Sequence, residues 1–502
     1  MNHWIDRRQL LRQGVYAAVA AAVPRSVGAA NQPRLERRGP AKTVIVIGAG
    51  LAGLAAAYEL TQAGHHVTVL EARRRAGGRV YTLREPFSDG LYAEAGGMHV
   101  YDTHDWTLAY IKLFDLPLEP LSPSKLGSLL YVQGHRIETR PGLKVDWPLD
   151  LPPDERGLSR GGMWARYVGP VVKDLGDPAS PGWPPETLLS QYDSMTFTEF
   201  LRRQGASPEA VRLLRLGYPD LLGDGADRSS ALDLLREVAH TRQAVKQLYT
   251  IRGGADRLPN ALASRLADRI HYGAPVVRIE HGPQRARVVC VERGQAMALT
   301  ADHLICTVPF SVLRRIDVSP PFPPDKQRAI DELPYASVAR VYLQTRTRFW
   351  LNAGLTGEAF TDLAMMSVYD RTPSHAGPRG ILESYMGGEH ARWTTALREP
   401  ERIGWVLRQM ETLYPAIRAE VERGTSISWD EDEWARGAYA WFRPGQMRAL
   451  LPHIARPEGR VHFAGEHTSA WPGWMQSALE SGRRAAQEVN DAGSEDYAGT
   501  GV

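Results

Sequence analysis

The sequence predicts an α/β protein whose first structured unit is strand–helix–strand, and three observations carry that prediction. Residues 43–47, Thr-Val-Ile-Val-Ile, form a short β-branched run suited to a buried parallel strand. Gly48-Ala49-Gly50-Leu51-Ala52-Gly53 follows at once and opens an Ala- and Leu-rich helical stretch to Ala63. A second strand then ends Val67-Thr68-Val69-Leu70-Glu71. In the G-x-G-x-x-G turn, Gly48 permits a tight reversal, Gly50 lets backbone approach a pyrophosphate, and Gly53 lets helix and strand pack closely. The helix start supplies amide donors and partial positive charge to phosphate, and Glu71 is placed to accept hydrogen bonds from a ribose. The unit reads as a dinucleotide site.

The residues after Glu71 narrow the dinucleotide. Ala72-Arg73-Arg74-Arg75-Ala76-Gly77-Gly78-Arg79 sets paired glycines and a cation just past the acid. This stretch resembles the L-E-A-R-x-R-x-G-G-R element of flavin enzymes of the amine oxidase group, where it lies beside the FAD pyrophosphate. Nicotinamide-binding folds do not carry it. The resemblance implies FAD, with Ala72, Arg73, Gly78 and Arg79 among its contacts.

Length and composition set the frame for the remaining elements. At 502 residues the chain can hold more than one domain, and 43% hydrophobic with 23% charged residues is ordinary for a soluble globular protein. The net charge of +3 points to no anionic partner, because Arg7, Arg8, Arg12 and Arg25 against Asp6 account for all of it. Neither nucleic acid nor an anionic membrane surface is expected. Arg7-Arg8-Gln9-Leu10-Leu11-Arg12, the apolar stretch from Val15 to Val23 and the small residues of Val27-Gly28-Ala29 look like a twin-arginine export signal over residues 1–29. That places the mature protein in the periplasm or outside the cell. The apolar run is too short to span a bilayer. The two cysteines, Cys290 and Cys306, sit in apolar strand-like runs and suggest neither a disulfide framework nor a metal site. The histidines are scattered without H-E-x-x-H spacing, so no metal is expected.

Cofactor elements recur far apart, so the domains are expected to interleave. Residues 41–100, 247–318 and 452–490 are assigned to a discontinuous FAD-binding domain. Residues 101–246 read as a largely helical insert, with Ser207-Pro208-Glu209 as one helix start and Gly217 as its end. Strand periodicity at 336–345 and a helix at 399–413 mark a substrate-binding domain over 319–451. Residues 491–502 read as a loose tail.

The C-terminal segment widens the resemblance to most of the chain. Val461-His462-Phe463-Ala464-Gly465-Glu466-His467-Thr468, then Trp471-Pro472-Gly473-Trp474-Met475-Gln476-Ser477-Ala478-Leu479-Glu480-Ser481-Gly482, is similar to the flavin-containing amine oxidase family, which includes monoamine, polyamine and L-amino-acid oxidases. The likeness runs from about 42 to 488. It implies a Rossmann-like FAD-binding domain of the amine oxidase type, interleaved with a mixed-sheet substrate domain and the helical insert. It also implies cofactor contacts at Gly96, Gly97, Met98, Val276, Gly465, Glu466, Gly473 and Met475, with Trp429 packed near the flavin ring. Hydride would pass from the amine-bearing carbon to the flavin, water would hydrolyse the imine, and dioxygen would be reduced to hydrogen peroxide. Tyr439 and Trp474 match the aromatic walls of the family's substrate slot. Ala438 stands where monoamine oxidases carry a flavin-linked cysteine, so the FAD is expected to be non-covalent.

Two departures limit what transfers. In L-amino-acid oxidases an arginine grips the substrate carboxylate, and here Glu94-Ala95-Gly96-Gly97-Met98-His99 places His99 at that position. Histidine lacks the bidentate fork; it stands as a cationic substitute, a substrate-shaping residue or a packed side chain. The family's carboxylate-binding tyrosine is matched by Tyr385. Where the family usually has a lysine near the flavin, Ser337-Val338-Ala339-Arg340 presents Arg340, which keeps its charge under all ordinary conditions. Arg340 either stabilises developing superoxide or marks an electron acceptor other than oxygen. The leading expectation is an exported oxidase of a primary amine, closely followed by an L-amino-acid oxidase; a decarboxylating monooxygenase and a flavoprotein with a silenced site stand behind both. A homodimer is left open.

Overall fold

The computed structural model describes residues 35–122, 124–242 and 246–492. The expected export signal at 1–29 and the tail beyond 492 lie outside the described residues.

The opening strand behaves as its composition demands. Thr43–Ile47 is the middle strand of a five-stranded parallel sheet ordered Ile270–Tyr272, His66–Glu71, Thr43–Ile47, His303–Cys306, Val461–Phe463. Its side chains alternate between two cores. Val44 and Val46 join the helix Leu51–Gln62 on one face, while Ile45 and Ile47 join Leu70, Leu304 and the helical region on the other. Burial on both faces is why the strand reads as continuous rather than alternating hydrophobicity. Helix Leu51–Gln62 crosses the C-terminal helix Met475–Asp491 at backbone contact, since a Cβ on Gly482 would lie 2.1 Å from the Ala52 carbonyl oxygen. The five strands come from three distant stretches of chain, so this sheet forms only when both ends and the middle of the sequence meet.

A second layer is a seven-stranded sheet ordered Val421–Ser428, Val338–Thr345, Gly380–Gly387, Ser367–Asp370, Leu355–Thr361, Gly127–Val132, His135–Thr139. Val338–Thr345 is buried at every position, as expected for an interior strand. Register sets its working face: Arg340 pairs with Tyr385 and Tyr385 with Ser367, while Tyr342 pairs with Glu383 and Glu383 with Tyr369. Directly opposed residues share a face, and positions two apart stay on it. Arg340, Tyr342, Glu383, Tyr385 and Tyr369 therefore crowd one surface of the sheet.

The stretch 101–246 is not wholly helical. Gly127–Val132 and His135–Thr139 extend the seven-stranded sheet at its edge, and Leu118–Leu121 pairs with Leu248–Ile251. Short strands like these gain their stability from pairing partners distant in sequence, which local pattern does not reveal. The rest holds helices such as Phe197–Arg203, whose Thr196–Glu199 capping box satisfies its first amides, and Pro208–Arg215, capped by Ser207. Strands Val276–His281, Ala286–Glu292 and Gln295–Ala301 form an antiparallel meander beside the parallel sheet.

Candidate active site

A cleft of about 1360 Å³, counting its open mouth, runs from the C-terminal ends of the parallel strands to the crowded face of the seven-stranded sheet. Ligands in open parallel sheets sit beyond the carboxyl ends of the strands, and the cleft begins there.

At the strand-end part, Gly48, Gly50, Glu71, Ala72, Arg73, Gly78, Arg79 and Val276 line the wall. Gly48 adopts φ +104°, a conformation glycine takes freely. Gly53 stays behind the wall, where a Cβ would stand 1.9 Å from the Gly48 carbonyl oxygen. A Cβ on Gly50 would meet nothing within 4 Å. Helix Leu51–Gln62 has no side-chain cap, so its first amides are left for an anion. Glu71 Oε2 accepts from the Ala49 amide at 2.6 Å and Oε1 from the Arg73 amide at 2.8 Å. Burial raises its pKa while those two amides oppose the shift. A carboxylate has acceptor capacity beyond two bonds, so these amides do not exhaust it.

Further along, Arg79 Nη1 donates to the Ala438 carbonyl at 2.8 Å and to Glu466 Oε1 at 2.7 Å, and Glu466 Oε2 accepts from the Gly473 amide at 2.8 Å. This chain of bonds ties the second glycine loop to the C-terminal motif. Arg73, expected at the cofactor, also pairs through its guanidinium with Asp432. Trp429 is buried and donates to the Ala95 carbonyl at 2.9 Å. Its indole also crowds Gly96, where a Cβ would fall 1.7 Å from the Arg79 carbonyl oxygen. Gly96, Gly97, Gly465, Glu466, Gly473 and Met475 all face the cleft; Met98 and His99 are half-buried outside its lining.

Arg340, Tyr385, Tyr439 and Trp474 line the remaining part. Arg340 Nη1 donates to the Glu94 carbonyl at 2.8 Å, its guanidinium carbon lies 4.5 Å from the Tyr385 ring centre, and its Nε stands 3.5 Å from Glu383 Oε1. Burial works against its charge, but Tyr342, Glu383 and Tyr385 outweigh that and raise its pKa. Tyr439 donates to the Leu221 carbonyl at 2.9 Å and packs on Gly473, whose Cβ would lie 3.6 Å from the ring. His99 is held down to about 3, first by burial and then by the fields of Arg371 and Arg340. Burial and the two guanidinium fields favour its neutral form, which counts against the cationic-substitute reading.

Sequence reasoning missed two groups. Glu237 accepts from Trp474 Nε1 at 2.8 Å, and the same indole is flanked by Tyr101, His104 and His240, ring centres 5.1, 5.3 and 5.6 Å away. Burial pushes the Glu237 carboxyl up to about 7 against hydrogen bonds from Tyr218 and Trp474. Arg371 pairs with the wholly buried Glu383 and lies over the Tyr369 ring at 4.6 Å. An acid in the middle of Ile381-Leu382-Glu383-Ser384-Tyr385 was the one local signal; nothing near Arg371 in the sequence announces it.

Parallel sheet, twin glycine loops and a buried acid at the head of the cleft define a dinucleotide-binding protein. No cysteine lines the cleft; Cys290 and Cys306 lie in strands, Cys306 pushed up to about 11 by burial. The residues thus fit a non-covalently held FAD. The chain belongs to the flavin-containing amine oxidoreductase family, whose profile matches residues 51–490. It is 36% identical over 467 residues to the YobN protein of Bacillus subtilis (strain 168), covering 89% of this chain and 95% of that one. It is 30% identical over 474 residues to the L-amino-acid oxidase of Vipera ammodytes ammodytes, covering 91% and 94%. Among solved structures, putrescine oxidase bound to putrescine superposes with a TM-score of 0.75 at 25% identity, covering 91% of this chain and 99% of that one. The cyclohexylamine oxidase of Brevibacterium oxydans IH-35A superposes with a TM-score of 0.78 at 23% identity, covering 90% and 99%. Among the described residues no group of His, Cys, Asp and Glu is placed to hold a metal, and no helix is long and apolar enough to cross a membrane.

Proposed function

We propose that this protein is an L-amino-acid oxidase that converts its substrate, with water and dioxygen, to a 2-oxo acid, ammonia and hydrogen peroxide. The observation that carries the reading is the pairing, in one cleft, of an aromatic part with a cationic, hydroxyl-bearing part: Tyr439 and Trp474 with Tyr385 and Arg340. A zwitterion needs both. The aromatic part desolvates the amine and favours its neutral form, and the Tyr385 hydroxyl donates to the carboxylate. FAD supplies the two-electron acceptor, and the chain's own residues orient the substrate and exclude water. The L-amino-acid oxidase named among the relatives, similar along nearly its whole length, supports the same reading. The Arg7-Arg8 leader supports export to the periplasm or beyond.

A second reading, oxidation of a primary amine to an aldehyde, is favoured by one observation: His99, which lacks an arginine's fork, stands where the resemblance puts a carboxylate-gripping arginine. An anaerobic panel separates the two. L-amino acids are expected to bleach the flavin of the holoprotein, and air to restore it with release of peroxide. Bleaching by the corresponding amines alone would replace the first reading with the second.

A further inference from the structure

Resting on the amino-acid reading above, we propose that Arg371 supplies the carboxylate-binding guanidinium that position 99 lacks, so the anion site is delivered from the sheet instead of the loop after Gly97. Three arginines are candidates on or behind this part of the cleft, and of the three Arg340 alone lines it. Arg340 is committed: Nη1 serves the Glu94 carbonyl, Nε faces Glu383, and its plane covers Tyr385. Arg160 reaches the Leu216 carbonyl and stacks over Phe360 at 5.2 Å. Arg371 differs. Its Nε engages Glu383 and its face covers Tyr369, but neither terminal nitrogen has an acceptor among the described residues. The side chain is only 9% exposed. Its terminal nitrogens are not among the fully buried donors, so a small ligand can reach them.

Position agrees with this assignment: Arg371 follows the strand Ser367–Asp370 opposite Ile381, and its partner Glu383 also faces Arg340, which lines the cleft beside Tyr385. The field of Arg371 falls on His99 more strongly than that of Arg340, which puts the guanidinium in the neighbourhood of the position that the family fills with arginine. Glu383 uses one carboxylate to orient both Arg340 and Arg371. The free edge of Arg371 then offers two parallel donors, the geometry that a carboxylate matches best.

The test uses the holoprotein and two readouts: benzoate binding, followed by perturbation of the flavin spectrum, and the ratio of kcat/KM for an L-amino acid to that for its decarboxylated amine. Arg371→Gln is expected to weaken benzoate at least thirtyfold and to lower the ratio at least thirtyfold, mostly through KM. Arg371→Lys, which keeps the charge and Glu383 pairing but loses the fork, is expected to lower both five- to tenfold, and it serves if the glutamine variant fails to hold flavin. Unchanged benzoate affinity and ratio in the lysine and glutamine variants, or an equal loss for amine and amino acid, would overturn the proposal. Should the wild-type protein oxidise only amines while benzoate binding still depends on Arg371, the anion site stands and the amino-acid reading falls.

Discussion

At the scale of single residues, the indole of Trp474 shows how the aromatic part of the cleft is held. Its Nε1 is fixed by Glu237, whose carboxyl is pushed up to about 7 by burial. Ionisation above that pH makes the bond charge-assisted and stronger. We expect kcat/KM to carry an inflection near pH 7 that disappears in Glu237→Gln, measured as a pH–rate profile of the holoprotein. The same group shapes stability with the opposite sign. Between about pH 4.5 and 7 the folded chain keeps a proton that the unfolded chain releases, so stability falls as pH rises through that window. The slope amounts to as much as about 3 kcal/mol and flattens in the glutamine variant, which denaturant melts at pH 5 and 8 would register. A wild-type profile without the inflection would mean that Glu237 does not sense the reacting substrate. The pairing was not legible in the sequence: Trp474 stands in a marked C-terminal motif, but Glu237 lies 237 residues away in a locally unremarkable stretch. Gly48, Gly50 and Glu71 were legible because their chemistry is written within one turn and two strands.

At the scale of elements, the glycine turn and its helix make opposite predictions for two neighbouring positions. Gly53→Ala drives a Cβ to 1.9 Å from the Gly48 carbonyl, which cannot swing aside as a side chain would. A cost of about 3 kcal/mol or more is expected, with loss of flavin on purification, read by thermal melting and by flavin-to-protein ratio. Gly50→Ala has open space at its Cβ and an ordinary φ of −73°. It should melt within about 1 kcal/mol of the parent yet bind FAD at least tenfold more weakly, since that space is where a pyrophosphate would be held. Equal melting of the two variants would undo this distinction. Helix Glu399–Leu413 and strand Val338–Thr345 fell close to where periodicity set them, because each is long enough to show its pattern. Gly127–Val132 and His135–Thr139 escaped, since their place is decided by pairing with Leu355–Thr361 and not by their own residues.

At the scale of the whole molecule, the cleft is walled by residues from Ile47 to Ala478, so a bound FAD would bridge the layers. Stripping the flavin is expected to lower Tm for the entire protein in one step, and free FAD should restore it. The gain is about 1.4 kcal/mol for each tenfold rise in FAD above Kd, followed by calorimetry across an FAD series. A Tm indifferent to FAD would show that the apoprotein stands alone. The interleaving itself has a temporal consequence. The parallel sheet needs Val461–Phe463, and its flank needs helix Met475–Asp491, both near the end of the chain. Everything through Asp491 must therefore be synthesised before the site can close, and a nascent chain short of that point is expected to hold no flavin.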